Sequence, residues 1–239
     1  MKIMYQYYKV TKSPFYGFIF TIPLFLIYEV GIIINSNNNM ISMRNGADVL
    51  MRQILSFFGL NGIYWLGFIF LISYVITFFI HKKKIKQNEI DNLYLFIMMI
   101  ESLFWANLIY FFMSNVHLLL MNPIGSIILQ RVTLAIGAGI YEEFLFRVLL
   151  ILLLSQIINF IFKWNFRFSR LIAMIISAGI FSSFHFLGEY GDYFSFNIFM
   201  IRFFAGIFLG ILYFTRGFGI VAWSHSIYDL IVLTKITTN

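Results

Sequence analysis

The sequence has no cysteine and few charged residues, and both shortages exclude whole classes of protein. Without cysteine there is no disulfide framework, no thiolate metal site and no cysteine nucleophile, so any chemistry must use His, carboxylates or Ser. Charged residues make up 11% of the 239 residues and hydrophobic residues 61%, which leaves too little polar surface to cover a soluble globule. We therefore expect lipid to surround most of the chain.

Long apolar runs, rich in Phe, Ile and Leu, take up most of the chain. Each is about 20 residues long, the length that a helix needs to cross a hydrocarbon core of roughly 30 Å, and none alternates as barrel strands do. A shorter segment at 47–60 mixes Arg52 and Gln53 with apolar residues, which favours a short helix at the membrane interface. The sequence thus predicts an all-α, polytopic transmembrane bundle of about seven spans, six at least and eight at most. The predicted spans are 15–34, 62–80, 93–113, 131–154, 171–187, 194–214 and 218–233.

The net charge of +7 comes from basic residues that cluster between the apolar runs. Such clusters set membrane topology, so we expect membrane lipids as neighbours and no nucleic acid partner. The positive-inside rule predicts a cytoplasmic amino terminus, an external carboxyl terminus and, in a bacterial cell, insertion in the plasma membrane. The basic residues on the predicted cytoplasmic side are Lys2, Lys9, Lys12, Lys82, Lys83, Lys84, Lys86, Lys163, Arg167, Arg170 and Arg216.

The predicted fourth span carries Glu142, Glu143 and Arg147. At midspan an ionisable side chain costs about 2.5–3.5 kcal/mol on insertion scales, so one is retained there when it works or is paired. On an α-helix Glu143 lies one turn from Arg147, which predicts a structural ion pair. Glu142 points about 100° away from Glu143 and has no partner within its helix. It must therefore meet a polar group on another span, an environment that suits a general base.

Two later spans supply suitable partners. The fifth contains Phe181-Ser-Ser-Phe-His185 and the seventh contains His225-Ser-Ile-Tyr-Asp229. His225 and Asp229 are one helical turn apart. Together with Glu142, these polar side chains lie on three spans, and the pattern predicts one site assembled inside a helix bundle.

The order and spacing of these motifs resemble those of the CAAX-processing and bacteriocin-processing protease family, abbreviated CPBP or Abi, which includes the type II CAAX prenyl endopeptidases. The resemblance rests on Glu142-Glu143-xxx-Arg147, Phe181-xxx-His185 and His225-xxx-Asp229. It is confined to the second half of the chain. We therefore predict a catalytic transmembrane core at 121–239, preceded by an amino-terminal transmembrane region with the interfacial helix at 1–120.

The resemblance implies an endopeptidase in which Glu142 and His185 activate a water molecule while His225 and the residue at 229 stabilise the oxyanion. Many family members have Asn at the last position. Asp229 is a departure, because an ionised carboxylate cannot donate a hydrogen bond to an oxyanion. We expect Asp229 to orient His225, as a carboxylate does in a catalytic triad. Supporting roles are expected for Glu143, Arg147 and Phe181.

A metal-dependent mechanism is the alternative for the same residues. His185, His225 and Asp229 have the chemistry of zinc ligands, with Glu142 then acting as base. The compact HExxH spacing of many zinc proteases is absent. We therefore expect no cofactor, with zinc as the alternative.

Two functions of other classes stay open beside the protease. A proton-coupled transporter also has Glu, His and Arg at midspan, although the sequence shows no repeated half. A non-enzymatic immunity protein would bind a peptide toxin without cleaving it. For the protease, the expected substrate is a membrane-associated peptide of bacteriocin or signal type, or the carboxyl-terminal tail of a lipidated protein. Nothing in the sequence distinguishes a prenylated CAAX tail from the others.

Four further polar residues lie in the predicted spans or at their ends, outside the three motifs. Glu101, in the third span beside Trp105, either belongs to the site or packs against a polar neighbour. Glu29 in the first span lines a cavity or caps a kink. His81 and His117 lie at span ends, where we expect an interfacial role.

Overall fold

The computed structural model describes residues 2–35, 44–61, 65–85, 91–114, 128–187 and 191–237. Helices make up 89% of the structure and these ranges contain no strand, which confirms the predicted all-α class. The helices are α1 (Lys2–Thr11), α2 (Pro14–Asn35), α3 (Gly46–Phe57), α4 (Trp65–Ile85), α5 (Asn92–Ser114), α6 (Ile128–Gly137), the π-helix π1 (Ala138–Leu150), α7 (Ile151–Phe162), α8 (Phe166–Phe184), α9 (Phe196–Arg216) and α10 (Phe218–Thr237).

Five helices in these ranges are long and apolar enough to cross a membrane, which confirms the polytopic bundle. They are Pro14–Asn35, Asn92–Met113, Ile128–Phe162, Phe166–Phe184 and Phe196–Arg216. Two shorter apolar helices, Leu66–Ile80 and Phe218–Thr234, correspond to the remaining two predicted spans. The predicted fourth span is longer than expected, because α6, π1 and α7 follow one another without a break. Outside the described residues lie Lys86, His117, Glu189 and the side chains at 81–84.

Helix α10 lies at the centre of the bundle. It contacts α2, α5, α6, π1 and α9, and Ile220, Val221 and Ala222 are fully buried in these contacts. Large apolar side chains on the outer helices are exposed, as expected where lipid is the solvent. The predicted division at residue 120 stays a prediction. Helix α2 of the first region nevertheless packs against α6 and α10 of the second in a shared core.

Small residues determine how closely the helices approach one another. A Cβ atom on Gly139 would lie 2.0 Å from the Ser226 Oγ atom and 2.4 Å from the Ala222 carbonyl oxygen, so π1 and α10 touch at this glycine. The small-xxx-small spacing of Gly206 and Gly210 on α9 predicts another close approach. The structure confirms it, because both glycines pack against α8.

The connections predicted on the cytoplasmic side meet at one end of the bundle. Gly217, between α9 and α10, has a φ of +82°, and a Cβ atom there would lie 2.9 Å from the Lys12 carbonyl oxygen. Only glycine combines that φ with that approach without strain. Arg170, near the start of α8, lines the same cavity as Lys12 and Gly217. This grouping is the one that the predicted topology requires.

Helix α3 is amphipathic, as predicted for the segment at 47–60. Its side chains Ala47, Asp48 and Met51 are buried, whereas Phe57 and the following Phe58 are exposed. The helix begins at Gly46 because the Asn45 side chain accepts a hydrogen bond from the backbone N–H of Ala47, an N-terminal cap. Its location at the membrane interface stays a prediction.

Candidate functional site

The two adjacent glutamates lie in π1 and not in an α-helix, which corrects the geometry assumed from the sequence. Such segments are rare and often occur at functional sites. The predicted ion pair is nevertheless confirmed: the Arg147 Nε atom lies 3.1 Å from the Glu143 Oε2 atom, with both side chains buried. The remaining nitrogens of the guanidinium, Nη1 and Nη2, have no hydrogen-bond partner among the described residues. The pair is therefore buried but incompletely satisfied.

Glu142 meets polar groups from two other elements. Its Oε1 atom accepts a hydrogen bond of 2.9 Å from the Asn45 side-chain amide. Its Oε2 atom lies 4.0 Å from the Nε2 atom of His185. The structure thus brings His185 near Glu142, whereas the contact with Asn45 is one that the sequence did not predict.

His185 lies immediately after the last residue of α8. Its Nδ1 atom is 2.8 Å from the carbonyl oxygen of Phe181, one turn earlier. A carbonyl only accepts, so Nδ1 carries the proton in this contact and Nε2 of the neutral ring is left as the basic nitrogen. That basic nitrogen is the one closest to Glu142. The side chain is 26% exposed, more than any of the acidic or basic groups of π1 beside it.

His225 on α10 is flanked by two carboxylates. Its Nδ1 atom lies 2.7 Å from Glu143 Oε1, a hydrogen bond that π1 and α10 make across their close contact. Its Nε2 atom lies 3.7 Å from Asp229 Oδ2, an ion-pair distance without a hydrogen bond. The sequence predicts that Asp229 orients the ring, whereas in the structure the hydrogen bond that fixes the ring is made to Glu143. Asp229 lies instead beside the Nε2 atom of His225.

Phe181 joins the parts of the site by packing. Its ring centroid is 4.9 Å from that of His185 and 6.3 Å from that of His225, both edge to face. The Arg147 guanidinium carbon lies 4.3 Å from the same centroid, a cation–π distance. The supporting position predicted for Phe181 thus has a physical basis in three contacts.

The residues named as zinc ligands do not converge. Within the described residues, no group of three or more His, Asp or Glu side chains has the arrangement of a metal site. His185 and His225 each use the Nδ1 atom in a protein contact, and the Nε2 atoms face different carboxylates. The expectation that the site needs no cofactor stays a prediction.

Glu101 is not part of this site, which decides between the two interpretations of that residue. Arg216 donates to both of its carboxylate oxygens, and the Tyr7 hydroxyl donates to Oε2 at 2.7 Å. The Trp105 indole N–H donates to Oε1 at 3.3 Å. Glu29, the other residue left open, accepts a 2.9 Å hydrogen bond from Tyr141.

Sequence reasoning missed Asn45 and the second contact of Glu143. The position of Asn45 just before an amphipathic segment is an N-cap signal, so the start of α3 was predictable from it. Its contact with a residue 97 positions away was not. Nothing in the sequence indicated that the Glu143 carboxylate reaches both Arg147 and His225.

Comparison with known proteins finds a family similar to the second half of the chain. Residues 123–231 match the family described as "Type II CAAX prenyl endopeptidase Rce1-like". No curated protein and no solved structure matches the chain. The matched segment contains all three motifs: the two glutamates and arginine of π1, the Phe181-xxx-His185 pair of α8 and the His225-xxx-Asp229 pair of α10. Residues 123–231 are therefore similar to the CAAX protease (CPBP) family, in agreement with the resemblance predicted from the motifs, and this similarity together with the apolar helices supports an integral membrane protein.

Proposed function

We propose that the protein is an intramembrane endopeptidase in which Glu142 and His185 activate the attacking water molecule. The observation that carries the proposal is the 4.0 Å separation between Glu142 Oε2 and His185 Nε2. This gap is too long for a direct hydrogen bond and short enough for one water molecule to bond both atoms. Two hydrogen-bond acceptors, one on π1 and one just past the end of α8, are thus one water molecule apart.

The chemistry follows from the acceptors on either side of that water. The water oxygen attacks the carbonyl carbon of the scissile peptide bond while its proton passes to Glu142. The carbonyl oxygen becomes an oxyanion, and the same proton is later given to the leaving amine as the carbon–nitrogen bond breaks. His185 accepts the second hydrogen bond of the water and aligns it. The side chains of the protein and one water molecule supply every group that these proton transfers need. We therefore propose a glutamate-dependent rather than a metal-dependent mechanism.

We assign oxyanion stabilisation to His225. With Glu143 accepting from its Nδ1 atom, a proton on Nε2 makes the ring a donor at the nitrogen that faces away from π1. Asp229, 3.7 Å from Nε2, favours the protonated ring without using its hydrogen bond. In this arrangement an aspartate serves where many family members have Asn, because the donor is the histidine and not the residue at 229.

The proposed substrate is the carboxyl-terminal tail of a membrane-anchored protein, cleaved next to a lipidated residue. The family match supports a CAAX-type tail over a bacteriocin or signal-type peptide. A lipid anchor also suits the surface of the bundle, because large apolar side chains cover the outer helices.

The test is a cleavage assay on the protein purified in detergent, with a prenylated CAAX peptide and an unprenylated control. Glu142→Gln and His185→Ala are expected to lower kcat/KM by about 10²-fold to 10⁴-fold, the range for loss of a general base. Thermal melts should stay close to wild type. Ser183→Ala is the matched control, since Ser183 lies in the same motif but bonds only the Gly179 carbonyl within α8. Wild-type cleavage by Glu142→Gln would overturn the proposal.

A further inference from the structure

We propose that Asn45, the residue that caps α3, is a positioning residue that holds Glu142 toward His185. The inference rests on the proposed function, because it concerns the residue to which that function assigns the base. It adds a part of the site that lies outside the segment matched by the family and outside all three motifs.

The contact is direct and shielded from water. The Asn45 Nδ2 atom donates to Glu142 Oε1 over 2.9 Å, and both residues are buried, at 9% and 6% exposure. A carboxylate has two oxygens, so binding one of them fixes the rotation of the other. The oxygen left over, Oε2, is the one 4.0 Å from His185 Nε2. Asn45 therefore selects which oxygen is available to act on water.

The amide of Asn45 is itself held in one orientation. Its Oδ1 atom accepts a 2.8 Å hydrogen bond from the backbone N–H of Ala47, and only the oxygen of the amide can do so. The NH2 group must then face Glu142. The backbone N–H of Asn45 donates to the Tyr28 hydroxyl over 3.1 Å, which fixes the residue from the side of α2.

A buried ionic cluster ties the start of α3 to the bundle. Asp48 is fully buried and accepts hydrogen bonds from Arg44 at 2.8 Å, Arg52 at 2.6 Å and the Tyr28 hydroxyl at 2.9 Å. Burial acts to lower the pKa of Arg44, but the neighbouring carboxylates of Asp48 and Glu29 outweigh it and raise that pKa, so Arg44 stays a cation. The cluster leaves α3 little freedom to move Asn45 away from Glu142.

The same cluster reaches π1 by a second route. Glu29 lies 3.7 Å from the Arg44 guanidinium and accepts a 2.9 Å hydrogen bond from Tyr141, the residue immediately before Glu142. Helix α3 is therefore connected to Glu142 in two ways. One is the direct hydrogen bond from Asn45, and the other is the chain of contacts through Arg44 and Glu29 to Tyr141, the preceding residue. An interfacial helix built only to anchor the chain in lipid would need neither contact.

The experiment separates donation to Glu142 from capping of α3. Asn45→Ser and Asn45→Asp both keep a side chain that caps well, and both remove the amide donor. We expect Asn45→Ser to lower kcat by about 10-fold to 100-fold, the cost of a misplaced reacting group, with KM and thermal stability near wild type. Asn45→Asp should lower kcat further, because it sets a carboxylate against a carboxylate.

Asn165→Ser is the matched control, since Asn165 also caps a helix, α8, by accepting from a backbone N–H, that of Phe168, and is exposed. It should leave kcat and KM unchanged. In the background of Glu142→Gln, Asn45→Ser should cause no further loss, because the residue acts only through that carboxylate.

Three results would overturn the inference. They are a wild-type kcat for Asn45→Ser, a loss of activity that merely follows the folded fraction, and an additive loss in the double variant. If Glu142→Gln is inactive while Asn45→Ser is wild type, the positioning role alone fails. If Glu142→Gln cleaves normally, the proposed function fails first, and the positioning role fails with it.

Discussion

Two buried clusters of carboxylates and arginines lie at opposite ends of the bundle, and they differ in how completely their hydrogen bonds are satisfied. At the end where α8 begins and α9 finishes, Glu101 accepts from Arg216, Tyr7 and Trp105. Arg216 also donates to Thr11 over 3.0 Å, and its guanidinium carbon lies 4.1 Å from the ring centroid of Tyr8. Each oxygen of Glu101 thus accepts two hydrogen bonds, and among the Arg216 nitrogens Nη1 has no partner within the described residues.

The cluster at the other end, around Glu142 and Glu143, is left partly unsatisfied. Arg147 has two nitrogens without a hydrogen-bond partner among the described residues, and His185 stops 4.0 Å short of Glu142. Buried polar groups in proteins are normally paired, so the exceptions need a reason. We take the cluster around Glu101, whose carboxylate is fully bonded, as structural, and the less fully bonded cluster as a site with bonds reserved for water and substrate. Four changes test this contrast, from the largest expected effect to the smallest.

Removing Glu143 should lower both stability and activity, because its carboxylate contacts Arg147 and His225 at the same time. Glu143→Ala strands a buried cation, a change that typically costs roughly 3–5 kcal/mol of unfolding free energy. The exchange Glu143→Arg with Arg147→Glu should recover part of that stability but no cleavage, since His225 still lacks its carboxylate. Thermal melts in detergent, with kcat measured on the folded fraction, check both. A fully stable, inactive Glu143→Ala would instead make Glu143 a purely chemical residue.

Removing Glu101 should affect stability alone. Glu101→Ala strands Arg216 in the same way and is expected to cost about 3–5 kcal/mol, while kcat of the folded fraction stays at the wild-type value. Replacing both partners, Glu101→Leu with Arg216→Met, should come close to wild-type stability, because no unpaired charge is left. The same melts and assays apply. A lower kcat in the folded double variant would show that this cluster contributes to the chemistry after all.

The approach of π1 to α10 should be sensitive to a single methyl group. Gly139→Ala places a Cβ atom 2.0 Å from Ser226 Oγ, and overpacking of this kind costs about 1–3 kcal/mol. Because the same contact brings His225 to Glu143, kcat should fall as well. Gly179→Ala on α8 is the control, since its Cβ atom would meet nothing within 4 Å. Equal stability of the two variants would contradict the close contact.

Chelation should leave activity unchanged, the smallest of the four expected effects. Among the described residues, no three His, Asp or Glu side chains are grouped as metal ligands. We predict that incubation with a chelator leaves kcat/KM unchanged and that elemental analysis finds less than one equivalent of zinc per chain. Stoichiometric zinc whose removal and return switch cleavage off and on would move His185, His225 and Asp229 into a ligand set.

The sequence by itself determined the class of fold, the spans and the three motifs. Hydropathy is sufficient for the spans because the backbone in lipid must bond within its own helix. The ion pair of Glu143 with Arg147 was also predictable, since it depends only on spacing along one helix. The placement of His185, His225 and Asp229 in one site followed from their chemistry, because isolated polar groups are costly in a membrane.

Only the tertiary structure decided which groups bond to which. The Asn45–Glu142 contact joins residues 97 positions apart and the Glu101–Arg216 contact joins residues 115 apart. In the structure His225 also donates its hydrogen bond to Glu143 rather than to Asp229, although Asp229 is the neighbour in sequence. Partners between helices depend on how closely two helices pack, here set by glycines such as Gly139, and on the turn of a π-helix. Neither property can be read from the spacing of residues along one chain segment.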